Sequence, residues 1–222
     1  MFIRDNKAYA SIGVNCLPEV QLLKRFHIWK NVEPEPKDLG YRQERGLFDT
    51  GGASPDSLIE ILNLIKEDKA IDLLSDIDNY YAELRPEGNI FYGHKFIHGF
   101  TLTHEDEDLT NFKKEMKNRI NNFNNLPKET TFIWCNAQAN FTPDFKCTGT
   151  FIDDYYLTVD RYEKIMHLVK HLYGFKVKFA VREEYTEKSL LNFNNVIPID
   201  IEFGNFNLFG TKKQFDPIFQ EE

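Results

Sequence analysis

The chain has 222 residues and a formal net charge of −8, with 20 Phe and 10 Tyr. That length suits one substantial core, and the acidic balance argues against nucleic-acid binding, which requires a basic face. No apolar run approaches the roughly eighteen residues of a membrane span. The first six residues lack the apolar stretch of a signal peptide, and three scattered cysteines form neither a disulfide framework nor a zinc motif.

In chain order, Ala8 to Gly13 reads as a first strand and Pro18 to Phe26 as an amphipathic helix. The charged, proline-bearing stretch from Asn31 to Gly46 reads as an exposed loop. Ser54 or Asp56 caps a helix whose apolar stripe is Leu58, Ile59, Ile61, Leu62 and Ile65. A second helical stretch is expected over Lys69 to Ile77. Asn89 to Tyr92 and Lys95 to Thr103 read as a hairpin turning around Gly93. Leu109 to Phe123 predicts a charged helix with Phe112, Met116, Arg119 and Phe123 on one face. Thr130 to Asn136 is a near-continuous apolar run of the kind buried on both faces of a sheet. Val159 to Tyr173 is a helix that Gly174 ends. Phe175 to Val181 and Val196 to Phe203 are further strands, and Gly210 to Glu222 reads as a loose end.

Strands alternating with helices predict an α/β fold: a mixed, mostly parallel sheet flanked by helices. The hairpin is its antiparallel part. A single domain is expected over residues 1–210, with 211–222 as a tail.

Cys16 is the most informative residue. It falls where the first strand meets the first helix, in Ser11-Ile12-Gly13-Val14-Asn15-Cys16-Leu17-Pro18. Unpaired backbone N–H groups and the positive end of the helix dipole favour thiolate at such a position, and the thiolate is the nucleophile. Asn15 offers an amide to a developing oxyanion. The plain alternative is a buried, inert thiol. Cys135, within a strand, and Cys147, in a loop, read as structural.

This segment resembles the uncharacterised papain-like cysteine peptidase family, whose members open with a strand, Ser-hydrophobic-Gly-x-Asn/x-Cys and a Leu- and Arg-bearing helix. Here those residues are Ser11-Ile12-Gly13-Val14-Asn15-Cys16 and Leu22-Leu23-Lys24-Arg25-Phe26. The family's Pro-Phe-Asp motif corresponds to Leu47-Phe48-Asp49, with Leu in place of Pro. Its histidine after a strand corresponds to His104, and its aromatic- and Arg-bearing helix to Phe112, Arg119 and Phe123. The resemblance covers roughly residues 8 to 136. It implies a papain-like α+β layout, in contrast to the α/β order of elements, and a cysteine peptidase activity.

A cysteine hydrolase needs a base near the sulfur and often a group that orients the base. His104 ends a strand, where sheet-borne sites gather, and it matches the family's histidine; His98 is next in order. The competing reading of His104 is a surface residue beside Glu105, Asp106 and Asp108. Asp49 and Asn136 are equal candidates for the orienting group. His167 and His171 lie on one helix face and read as solvated or capping residues.

The expected function is a cysteine-dependent hydrolase or acyl transferase acting on a peptide or another amide or acyl substrate, with no cofactor, no nucleic acid and no membrane. Reduced thiols suggest the cytoplasm. Two alternatives stand beside it. One is a non-catalytic binding domain of the same fold. The other is a metal-dependent hydrolase built on His94, His98 and His104, since residues four apart share a face on a regular strand.

Overall fold

The computed structural model describes residues 2–4, 7–13, 41–42, 46–49, 51–84, 90–103, 111–136, 155–174, 176–199 and 212–220. They form a mixed α/β structure with ten strands in two sheets. The first sheet holds β1 (Phe2–Arg4), β2 (Lys7–Ser11), β3 (Tyr41–Arg42), β8 (Thr130–Cys135), β9 (Lys176–Val181) and β10 (Val196–Pro198), in the order β10-β9-β8-β2-β1-β3. Strands β2, β8, β9 and β10 run parallel, and β1 pairs antiparallel with both β2 and β3. The sheet is therefore mixed and flanked by helices, as the alternation of elements predicts.

The hairpin is not part of that sheet. It belongs to a separate antiparallel sheet of β4 (Gly51–Ala53), β5 (Tyr80–Leu84), β6 (Ile90–His94) and β7 (Phe100–Thr103), in the order β4-β7-β6-β5. Gly93 is not its turn. It lies inside β6, opposite Tyr81, and the Tyr81 ring occupies the space a Cβ at position 93 would need. The turn falls at 95–99, where Gly99 takes φ +79°. Local composition marks glycine as a break; only the neighbouring strand shows that this one makes room for a ring.

Five helices are described. They are α1 (Pro55–Lys66), α2 (Ala70–Leu74), α3 (Phe112–Asn124), α4 (Val159–Tyr173) and α5 (Lys212–Phe219). Ser54 caps α1 by accepting the Ser57 N–H at 3.2 Å, and Pro55 fills the first turn, where a missing N–H costs nothing. Thr158 caps α4 in the same manner, and Gly174 ends it at φ +71°. The predicted helix over Lys69 to Ile77 is shorter, ending at Leu74 before a 3₁₀ turn at Ile77–Asn79.

β8 is buried on both faces. Phe132 and Trp134 face a large core shared with α1, α3, α4 and the second sheet, while Ile133 and Cys135 face a smaller core closed by Phe215 and Ile218 of α5. The carboxyl-terminal segment is thus an ordered cover rather than a loose tail. Phe215 and Ile218 are each 1% exposed. Spaced three apart, they share a helix face, and the few polar residues around them hide that pattern in so short a stretch. Tyr41 and Arg42, read as loop, pair with β1 as an edge strand. The expected helix at Pro18 to Phe26 lies outside the described residues.

Candidate active site

The parallel strands set the geometry. After β2, the chain's next strand in this sheet is β3, on the far side of β1; after β8 comes β9, on the opposite side of β2. From these two adjacent carboxyl ends the chain thus next joins the sheet on opposite sides. In open α/β sheets such a switch point leaves a crevice, and it is where ligands bind. The Ile12 N–H donates to the Ile133 carbonyl at 3.1 Å, extending the β2–β8 pairing past Ser11. Gly13 is buried. Cys16 follows it three residues later in the sequence. Cys16, Asn15 and His104 lie outside the described residues; Asn136, Asp49, His94 and His98 lie within them.

Asn136 follows the last residue of β8 and is fully buried. Its backbone N–H donates to Ala180 (3.2 Å), and its side chain continues the junction. Oδ1 accepts the Arg182 N–H (3.0 Å), while Nδ2 donates to the Tyr185 carbonyl (3.0 Å) and approaches Thr186 Oγ1 (3.4 Å). Every polar atom of the amide thus has a partner in the turn after β9. Asn136 ties the ends of β8 and β9 together.

Asp49 sits in the turn at 46–49, inside the protein. Leu47 is fully buried, and Phe48 and Asp49 are each 1% exposed. Oδ2 of Asp49 accepts the Gly46 N–H at 2.7 Å, closing the turn on itself. The Asp49 carbonyl accepts from Nη1 of Arg119 (3.0 Å), and Nε of the same guanidinium reaches Glu115 Oε1 at 3.0 Å. Phe48 meets Phe123 edge to face at 5.6 Å. The apolar face predicted for α3 is real, and Arg119, 3% exposed, is its polar member because it binds this turn.

The histidines of the hairpin do not share a strand face. His94 ends β6, while His98 is exposed in the turn beyond it. Both His94 ring nitrogens are engaged. Nδ1 accepts the N–H groups of Phe96 (3.2 Å) and Ile97 (3.0 Å), and Nε2 faces the Leu73 carbonyl at 3.4 Å. A nitrogen that accepts two amides has no lone pair for a metal. Among the described residues, no three His, Cys, Asp or Glu side chains group as a cation site. His167 and His171 are exposed on α4, their rings stacked at 6.1 Å, as expected of solvated residues. Cys135 is a fully buried thiol.

Sequence reading missed two features of this region. Ser11 Oγ and Trp134 Nε1, near the carboxyl ends of β2 and β8, are buried with no hydrogen-bond partner among the described residues. Nothing local marks either one, because an unmet donor is visible only once its surroundings are assembled. A separate open groove of about 390 Å³ runs along α1 beside Lys164 of α4, lined by Asp56, Ile59, Glu60, Asn63, Leu64 and Glu67. It contains none of the predicted site residues.

Compared with known protein families, curated proteins and solved structures, the chain matches none.

Proposed function

We propose that this chain is a cysteine-dependent hydrolase or acyl transferase, with Cys16 as nucleophile and His104 as base. The observation that carries the reading is that, from the adjacent carboxyl ends of β2 and β8, the chain next joins the sheet on opposite sides, because Cys16 follows β2 within five residues of its last member, Ser11. A thiolate beside the opening of a helix suits this place in the chain.

In the proposed reaction the Cys16 thiolate adds to the carbonyl carbon of an amide or ester. The oxyanion is held by the Asn15 amide and the Cys16 N–H. The C–N or C–O bond breaks as the leaving group takes a proton from the His104 imidazolium. Water or an amine, deprotonated by neutral His104, then releases the acyl group from sulfur. Of the two orienting candidates Asp49 is favoured, since it is a buried carboxylate and the Asn136 amide is committed to the β8–β9 junction. A peptide or other amide or acyl compound is the proposed substrate class, and the cytoplasm the proposed compartment.

Alkylation by iodoacetamide across pH 5 to 9.5, read by mass spectrometry on the Cys16 peptide, tests the assignment. Cys16 is expected to react as a thiolate well below the free-thiol value of about 8.5. His104→Asn is expected to move that midpoint upward. A wild-type midpoint at or above the free value overturns the proposal.

A further inference from the structure

The turn at residues 95–99 is organised by one imidazole. His94 is 4% exposed. Its Nδ1 receives two backbone N–H groups, from Phe96 and Ile97, so the ring proton resides on Nε2, toward Leu73. Tyr80 stands edge-on to the ring at 4.8 Å, with Phe96 at 6.0 Å and Phe100 at 6.3 Å.

The turn holds several elements at once. The Gly99 carbonyl accepts the N–H of Ser54, the α1 cap, at 3.0 Å. A Cβ at Gly99 would lie 2.5 Å from Ser54 Oγ. The Lys95 N–H donates to Asn79 at 2.7 Å, just before β5. Opening the turn therefore loosens the 3₁₀ turn at Ile77–Asn79, the entry to β5 and the start of α1 together.

We infer that His94 is an acid-sensitive latch: a proton added from solvent to Nδ1 displaces the Phe96 and Ile97 amides and opens the 95–99 turn. A protonated Nδ1 is a donor facing two donors, so the closed turn and the imidazolium exclude each other.

The surrounding charges favour this outcome. On β5, the Tyr80 hydroxyl donates to the Leu74 carbonyl at 2.9 Å and burial pushes its pKa up, so it remains neutral. Arg119 of α3 adds positive charge that Tyr80 feels. On the turn, Lys95 reaches the Asp78 carbonyl, and His98 is exposed. Asp76 and Asp78 of the 3₁₀ turn and Asp72 of α2 are the nearby carboxylates in sequence; neither ring nitrogen is bonded to one. Burial lowers the His94 pKa below its usual value, consistent with a neutral ring at neutral pH. The sign follows. With the closed-state pKa below that of the open turn, closure is complete above about 6.5, the ordinary histidine value, and is lost as pH falls from there toward the lowered value.

Amide hydrogen exchange of Phe96 and Ile97, corrected for the intrinsic rate and measured from pH 7.5 to 5, reads the latch. Wild-type protection is expected to fall up to tenfold per pH unit below about 6.5. In His94→Asn, the side-chain carbonyl supplies an acceptor that does not titrate, and protection is expected to be independent of pH. Flat protection in the wild type overturns the inference, as does a His94→Asn profile that keeps the wild-type slope.

Discussion

At the residue scale, the buried Asn136, Asp49 and His94 are each held by hydrogen-bond partners. Asn136 shows the pattern. As a strand-ending amide it looked able to orient a base; in the fold its acceptor and donor are matched by Arg182 and Tyr185 across the β8–β9 junction. Truncating it leaves the half-buried Arg182 N–H unmet and removes one of two donors to the Tyr185 carbonyl, which also accepts the Leu157 N–H; the expected cost is about 1–3 kcal/mol. Asn136→Ala is expected to lower the urea midpoint accordingly without changing the slope; an unchanged midpoint would mean that the brace is redundant. Asp49 shows the same limit on sequence reading. Leu47-Phe48-Asp49 stood out as a motif, and the burial of all three residues could be guessed from two apolar neighbours. The Arg119 guanidinium on the Asp49 carbonyl, 70 residues away, could not.

At the element scale, periodicity carried most of the information where it was long. The α4 helix has the boundaries that its apolar spacing, its Thr cap and Gly174 imply. β8 is buried on both faces, as an unbroken apolar run requires. Short elements escaped. α5 has eight residues, and its Pro217 and charges resemble a fraying end. Its Phe215 nevertheless closes the second core with Phe2, Ile133 and Ile199. Phe215→Ala is expected to destabilise by about 3–5 kcal/mol, the usual loss for a buried phenylalanine, measured by chemical denaturation. A loss below about 1 kcal/mol would show that the α5 cover is dispensable.

At the scale of the molecule, one core joins both sheets. Tyr80, Tyr92, Phe100 and Leu102 of the second sheet belong to the same buried cluster as Phe132, Trp134 and Phe179 of the first. Such shared packing predicts a single cooperative transition. Urea unfolding followed by far-UV circular dichroism and by tryptophan fluorescence is expected to give coincident midpoints, whereas separated midpoints would show two independently folding sheets.

Residue spacing alone determined α1, α3, α4 and the parallel buried strands, because periodic burial is a local property of a chain that must hide one face. Local context also singled out Cys16 and Asn136 as chemically notable, and the family resemblance singled out Asp49. Only the tertiary structure decided that the hairpin forms a second sheet, that Gly93 lies beneath a tyrosine ring, that Asn136 is a brace and that His94 accepts two amides. Each of these depends on which distant group arrives at a given atom, and hydrogen-bond partners separated by tens of residues leave no periodic trace in the sequence.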